Sequence, residues 1–177
     1  MKKSKIHVSK KLEKLIKSMI TVDQNSKDGK LGKWNATLFH MDRQKCWLIT
    51  NAATKYSIIL VDIKAKDLLD IDSLFKDELY NQLVYDGIII DLKNFDELIG
   101  KLEFHPTDND RNITGFHNHR LQELKWWKER YGHIDNMPMR DLIYRINNAP
   151  THKGKGYKMS EYTVPLETMR KLLSEIF

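Results

Sequence analysis

The sequence has one cysteine and four prolines in 177 residues. A single cysteine forms no internal disulfide and no multi-thiolate zinc site, so Cys46 is predicted to be a buried structural thiol. The chain contains no apolar run of about 18 residues, the length that crosses a membrane, and its first residues lack the apolar centre of a signal peptide. We therefore expect a soluble, cytoplasmic protein with no membrane partner.

Apolar residues are numerous enough for one folded core. The chain is 41% hydrophobic and 31% charged, and its length suits one globular domain. No internal repeat and no low-complexity linker divides it. The sequence therefore predicts a single domain over residues 1–177.

The net charge of +6 is unevenly distributed. Residues 1–20 carry seven lysines against one glutamate, and residues 111–177 carry 12 basic against seven acidic residues. Residues 61–110 carry 13 acidic residues against five lysines. A basic face favours polyanions through counterion release, although a lysine-rich surface that is merely solvated has the same composition.

A period of two in the hydrophobic pattern predicts three strands near residues 34–62. Residues 34–40 and 45–50 alternate around a turn, and residues 56–61 form a third run. Because the third run is the most continuously apolar, we place it in the centre of the sheet. The predicted fold is α+β, with a small antiparallel three-stranded meander packed against several helices.

Helical periodicity appears on both sides of the meander. A short strand at residues 5–8 is followed by a helix that Ser9 caps and that carries apolar residues as far as Ile20. Residues 101–105 are predicted to be a short edge strand, and residues 88–90 are compatible with a strand or a buried helix. Further helices are predicted near residues 64–69, 72–87, 95–99, 135–146 and 165–176.

The longest amphipathic pattern lies within residues 107–131. Asp and Asn residues at 108–112 favour a helix start. The apolar residues that follow occur at three- and four-residue steps, so they form one stripe against the core and leave the charges on the opposite side. This stripe consists of Ile113, Phe116, Leu124, Trp127 and Tyr131.

Five short motifs, in this order, resemble an uncharacterised family of small bacterial and phage-borne proteins, a domain of unknown function. They span most of the chain. The resemblance implies an α+β domain and assigns no catalytic residue. The motifs are Ser9-Lys10-Lys11-Leu12, Gly32-x-Trp34-x-Ala36, Asn51-x-x-Thr54, Asp110-Arg111-x-Ile113 and Asn147-x-x-Pro150.

A polar cluster at residues 105–123 is the candidate catalytic site. A metal-free ribonuclease needs a base, an acid and a cation that stabilises the charged transition state. Two pairs, His117 with Asp110 and His119 with Glu123, are alternatively suited to a divalent ion, although His117 and His119 are two residues apart and point to different sides of a helix. Helix capping and exposed histidines are the structural alternative. The cluster contains His105, Asp110, Arg111, His117, His119 and Glu123.

Arg111 has two interpretations. The carboxylates of Asp108 and Asp110 are suited to hold its guanidinium, which predicts a structural tie between the loop and the long helix. The alternative is a contact with an external phosphate or with a carboxylate of a partner.

Lysines near both ends are the candidate nucleic-acid-binding residues. Together with an aromatic side chain they suit RNA, whose phosphates pair with lysines and whose bases stack. Our leading prediction is binding to RNA or to a protein–RNA assembly. No cofactor is predicted, because the glycines at 154 and 156 lack the spacing of a phosphate-binding loop. The candidates are Lys2, Lys3, Lys5, Lys10, Lys11, Lys14, Lys153, Lys155, Lys158 and Trp126.

The acidic middle of the chain supports a third prediction, contact with a host protein. Clustered carboxylates mimic nucleic acid toward a basic partner. For a chain that resembles phage-borne proteins, this predicts an inhibitor of a host defence enzyme. The carboxylates are those of Asp67, Asp70, Asp72, Asp77 and Glu78.

Overall fold

The computed structural model describes residues 3–21, 28–152 and 161–177. A five-stranded mixed sheet lies at the centre of these residues, with the spatial order β4-β3-β2-β1-β5. Strand β1 is parallel to both of its neighbours, β2 and β5, whereas β2, β3 and β4 pair in antiparallel fashion. The strands are β1 (Lys3–Val8), β2 (Trp34–Met41), β3 (Gln44–Asn51), β4 (Ser57–Leu60) and β5 (Lys101–His105).

Six α-helices in the described residues cover the two faces of the sheet. They are α1 (Lys10–Leu15), α2 (Ile71–Tyr85), α3 (Leu92–Ile99), α4 (Arg111–Tyr131), α5 (Met139–Asn148) and α6 (Pro165–Ile176). Three 3-10 turns and a two-stranded sheet complete these elements: Lys17–Met19, Ala65–Asp70, Ile134–Asn136, and the pair β6 (Thr151–His152) with β7 (Tyr162–Thr163). The α+β prediction is thus confirmed, as one compact domain.

The predicted meander is confirmed, but the position of its third strand was wrong. Strand β4 lies at the edge of the sheet and not at its centre. It is apolar throughout because both of its faces are covered: Ile58 and Leu60 join the core on one face, and Ile59 joins the core on the other. The side chain of Asn147 pairs with the backbone of Ser57 at this edge, accepting from its N–H at 2.8 Å and donating to its carbonyl at 3.0 Å.

The first helix is shorter than predicted. Ser9 caps it as expected, but α1 ends at Leu15 and a 3-10 turn follows. The chain then becomes extended because Ile20 forms a β-bridge with Phe104, and Thr21 N–H donates to the Phe104 carbonyl. Residues 88–90, compatible by sequence with a strand or a helix, belong to neither.

The sheet separates two apolar cores. The larger core packs α1, α2, α3 and α6 against side chains such as Trp34 and Trp47, while the smaller packs α4 and α5 against Leu48 and Ile59. Cys46 is a buried free thiol, as predicted, and burial raises its pKa. Among the described helices, none is both long enough and apolar enough to cross a membrane.

Candidate functional site

Helix α4 begins at a tightly bonded cap. The Asp110 carboxylate accepts from the N–H groups of Asn112 and Ile113 at 3.0 and 3.1 Å. Lys33 Nζ lies 2.5 Å from Asp108 Oδ2 and 3.5 Å from Asp110 Oδ2. Burial alone would lower the pKa of Lys33 and raise that of Asp108, but the hydrogen bond and the opposite charges reverse both shifts. Asp110 therefore has a structural role as a cap.

The predicted tie between Arg111 and the two neighbouring carboxylates is wrong. Lys33, from the loop before β2, takes that position. Arg111 is exposed, and no other described residue bonds to its guanidinium. The Arg111 charge is therefore available to an external partner.

The buried face of α4 also differs from the predicted stripe. Between Ile113 and Leu124 it contains two polar residues, His117 and Arg120, and both are buried. The expectation that the charges lie on the solvent side alone is therefore corrected. His117 and Arg120 lie four and seven residues after Ile113, at helical spacing on the same face. They were not predicted to be buried because the stripe was defined by apolar residues alone.

His117 faces a cleft of about 80 Å³ at the carboxyl ends of β1 and β5, which we call the His117 cleft. Asn35, Asp108 and Asp110 line it too. The imidazole is 6% exposed, and its Nε2 atom has no partner among the described residues. Burial, with a smaller contribution from the charge of Lys55, lowers the pKa of His117 to about 4. This imidazole is therefore neutral at neutral pH.

A row of polar residues crosses the sheet beneath α4 and α5. Pairing of the five strands places His105, His7, Asn35, Thr50 and Ser57 side by side. Thr50 Oγ1 lies 2.8 Å from Ser57 Oγ, and His7 Nδ1 donates to the Pro106 carbonyl at 2.8 Å. Burial and the charges of Lys5 and His7 lower the pKa of His105. His105 thus belongs to this row and not to the surface of α4.

A larger cavity of about 310 Å³ lies beside the same helix, and we call it the Lys55 cavity. None of the described residues that line it is acidic. Its walls come from α4, from the turn between β3 and β4, and from Pro150 with strand β6. The lining residues are Lys55, Asn112, Phe116, His119, Arg120, Pro150, Thr151 and His152.

A rigid turn holds Lys55. The buried Asn51 side chain donates to the Leu31 carbonyl at 2.8 Å and accepts from the N–H and the hydroxyl of Thr54, both at 3.0 Å. Lys55 follows in the left-handed region with a φ of 64°, a conformation that is uncommon for a residue with a side chain. Side chains of the Asn51-x-x-Thr54 motif therefore fix the direction in which Lys55 leaves the turn.

The ammonium group of Lys55 has a weak set of partners. Its Nζ donates to the Ala52 carbonyl at 3.2 Å, and no described carboxylate forms an ion pair with it. Burial lowers the pKa of Lys55; the charge of Asp110 opposes this effect and the charge of Lys33 adds to it. An anion in the cavity would stabilise the protonated lysine.

Arg120 is the most buried cation of the cavity, with 4% of its surface exposed. Its Nη1 donates to both oxygens of Glu123 at 2.9 and 2.7 Å, and its Nη2 donates to Thr151 Oγ1 at 3.1 Å. The guanidinium carbon lies 4.8 Å from the centre of the Phe116 ring. The Nε–H has no acceptor among the described residues, and such an unpaired buried donor costs about 1–3 kcal/mol.

Two histidines complete the rim of the Lys55 cavity. The His119 side chain is 66% exposed, with Nδ1 3.7 Å from Glu123 Oε1, while His152 Nε2 lies 3.1 Å from Glu161 Oε2. His119 and His117 line different cavities, as their spacing predicted. Among the residues at 3–21, 28–152 and 161–177, no three His, Cys, Asp or Glu side chains are grouped to hold a metal ion.

The structure therefore divides the predicted catalytic cluster. His117 and Asp110 line the His117 cleft, His119 lines the Lys55 cavity, and Glu123 bonds to Arg120. The sequence patterns did not indicate Lys55, Arg120, Thr151 or His152. Arg120 could have been predicted from its position seven residues after Ile113 on the buried stripe. Lys55 and His152 are distant from α4 in sequence, so no local pattern indicated that they would lie beside it.

The predicted nucleic-acid-binding residues are only partly described. Lys10, Lys11 and Lys14 are exposed on α1, and none forms an ion pair with a described residue. Lys3 pairs with Glu103, Lys5 with Asp28, and Trp126 is 57% exposed. Lys2, Lys153, Lys155 and Lys158 lie outside the described residues.

Several predicted acidic residues have partners within the fold. Asp72 accepts from Leu102 N–H at 3.2 Å, Glu78 pairs with Arg140 at 3.1 Å, and Asp67 accepts from Lys64 N–H at 2.8 Å. These three carboxylates therefore have structural roles, independent of any partner protein.

Comparison with known proteins gives a match over most of the chain. The model of a family described as Domain of unknown function (DUF6933) matches residues 5–168. No curated protein matches the chain. The match confirms the resemblance to an uncharacterised domain and assigns no activity to it.

Proposed function

The chain belongs to the DUF6933 family, and we propose that it binds RNA, with one nucleotide seated in the Lys55 cavity. The observation that carries this proposal is the chemistry of the cavity walls. A lysine, an arginine, two histidines and an aromatic ring line it, and no acidic residue is among the described lining residues.

Each component of the cavity suits one part of a nucleotide. Lys55 lacks a carboxylate partner, and Arg120 retains a free N–H, so both favour phosphate oxygens. Phe116 offers an aromatic surface for a base. A volume of about 310 Å³ is at the lower end of the range for small-molecule sites. The cavity therefore suits one nucleotide of a longer strand.

The remainder of the strand would follow exposed cations outside the cavity. Arg111 at the start of α4 and Lys10, Lys11 and Lys14 on α1 are exposed and form no ion pair with described residues. Such charges add affinity through counterion release without reading sequence. A cytoplasmic location belongs to this proposal, as does binding to a protein–RNA assembly.

The test is a titration of labelled single-stranded RNA at increasing salt concentration. We expect affinity to fall steadily with salt, and the variant Lys10→Glu/Lys11→Glu/Lys14→Glu to bind more weakly with a smaller salt slope. The matched control is Lys66→Glu/Lys93→Glu/Lys101→Glu, since these exposed lysines lie within the acidic residues 61–110. The proposal would be rejected if the protein did not bind RNA at low salt, or if its affinity for RNA did not change with salt concentration.

Two further measurements examine the two alternatives. A gel of the RNA after incubation, with and without EDTA, reports cleavage, and cleavage would favour the ribonuclease hypothesis. His117 and Asp110 line the His117 cleft, His119 lines the Lys55 cavity, and the predicted cation Arg111 is exposed and lines neither, so we do not propose that activity. Binding to a basic host protein with no affinity for RNA would favour the inhibitor hypothesis.

A further inference from the structure

We infer that the Lys55 cavity recognises a terminal phosphate monoester, either at the end of an RNA chain or on a free nucleotide. The inference rests on the proposed RNA binding and specifies which part of the RNA enters the cavity. Two observations support it. Lys55 and Arg120 have donors without acceptors among the described residues, and the most buried residues of the lining, Arg120 and Thr151, lie away from the exposed rim.

Lys55 and Arg120 have donors that no described acceptor uses. Lys55 Nζ bonds only to the Ala52 carbonyl, and the Nε–H of Arg120 has no acceptor among the described residues. His119 lies at the exposed rim of the same cavity. A monoester has three terminal oxygens and a charge of roughly −1.5 to −2, whereas a diester has two such oxygens and a single charge. The higher charge and third oxygen of the monoester therefore suit these two cations better than a diester does.

Burial along the walls favours entry by a chain end. Arg120 and Thr151 are the most buried lining residues, at 4% and 8% exposure, and the Arg120 Nη2 to Thr151 Oγ1 bond joins them at 3.1 Å. His119 lies at the exposed rim. A group that reaches Arg120 therefore enters from the rim, and a terminal phosphate does so without a second strand segment that must leave again.

The positive charge of Lys55 is less compensated than that of Arg120. Glu123 neutralises Arg120 through two hydrogen bonds, whereas no described carboxylate forms an ion pair with Lys55, on which the more distant charge of Asp110 acts. A bound phosphate therefore interacts most strongly with Lys55, and this residue decides the preference for a monoester. The structure of the turn also guides the choice of variant, because asparagine tolerates the left-handed backbone that Lys55 adopts.

The experiment compares RNAs of one sequence with a 5′-phosphate, a 3′-phosphate or hydroxyls at both ends, together with adenosine monophosphate and inorganic phosphate. We expect a phosphorylated end to raise affinity about tenfold or more, because charge-assisted hydrogen bonds form at Lys55. We expect Lys55→Asn to abolish this ratio of affinities between phosphorylated and hydroxyl ends, and Lys55→Arg to retain most of it. The α1 triple variant weakens all RNAs equally and leaves the ratio unchanged. Thermal melting checks that each variant is folded.

The outcomes separate the inference from the proposed function. Salt-dependent RNA binding with equal affinity for phosphorylated and hydroxyl ends overturns the inference alone. Adenosine monophosphate binding that depends on Lys55, without RNA binding, supports the monoester site on a free nucleotide and overturns the RNA function. A phosphate preference that survives Lys55→Asn shows that the monoester binds elsewhere, and this also overturns the inference.

Discussion

Two histidines on α4 have opposite environments although they are two residues apart. His117 is 6% exposed beneath the helix, while the His119 side chain is 66% exposed. Burial lowers the pKa of His117 from 6.5 to about 4. The folded state therefore binds this proton more weakly than the unfolded state does.

This difference predicts how stability depends on pH. A histidine with a lowered pKa in the folded state contributes stability above the unfolded pKa, and the contribution is lost as pH falls from about 6.5 to about 4. The shift corresponds to about 3 kcal/mol in the free energy of unfolding. We expect urea unfolding of the wild type to show this loss, and His117→Gln to show a correspondingly flatter profile.

His119→Gln is the matched control for the pH experiment. Its side chain is exposed, so we expect this variant to retain the loss of stability that is assigned to His117. An unchanged pH profile in His117→Gln would show that His117 is not the buried titrating group.

Asn147 stabilises the sheet edge through a single side chain. It is fully buried and bonds both backbone groups of Ser57. Asn147→Ala leaves a buried N–H and a buried carbonyl unpaired, so we expect a loss of about 2–4 kcal/mol in the free energy of unfolding. Urea unfolding measures the loss. Asn148→Ala is the control, because this neighbour is exposed, and equal losses in the two variants would contradict the role of Asn147.

At the scale of elements, two adjacent charged residues at the start of α4 have different roles. Asp110 caps the helix, and Arg111 extends into solvent. We expect Asp110→Ala to lower stability by about 0.5–2 kcal/mol, the usual loss for a removed cap. Arg111→Ala should change stability by less than about 0.5 kcal/mol and weaken RNA binding. A lower melting temperature for Arg111→Ala than for Asp110→Ala would reverse these assignments.

The elements that the sequence predicted correctly depend on local patterns. The hairpin of β2 and β3 follows from alternation around Asp42 and Arg43, and both residues adopt positive φ angles, as in a tight hairpin turn. The beginning of α4 follows from a cap residue before a helical stripe. Patterns of this kind lie within about ten residues of the chain, so sequence reasoning detects them.

The elements that the sequence did not predict depend on distant partners. The consecutive apolar residues of β4 indicate that both faces of the strand are buried. They do not indicate which strands lie beside β4 in the sheet. The parallel pairing of β1 with β5 joins Lys3 to Lys101, and no local pattern encodes it. The Lys55 cavity likewise unites a β-turn, the first half of α4 and strand β6.

At the scale of the whole molecule, the sheet joins two cores into one folding unit. Leu79 of α2 lies in the larger core and Leu124 of α4 in the smaller, and both are fully buried. Strands β2, β3 and β4 contribute side chains to both cores. Loss of packing on one face should therefore destabilise the same cooperative structure as loss on the other.

We expect Leu79→Ala and Leu124→Ala each to reduce the free energy of unfolding by about 2–5 kcal/mol. The two residues lie on opposite faces of the sheet and share no partners, so the losses should add in the double variant within about 0.5 kcal/mol. Urea unfolding followed by tryptophan fluorescence and by circular dichroism should give one coincident transition for each variant. Leu69→Ala is the control, since this leucine is 89% exposed. Two separate transitions, with each variant shifting only one of them, would show that the faces fold independently and would contradict a single cooperative domain.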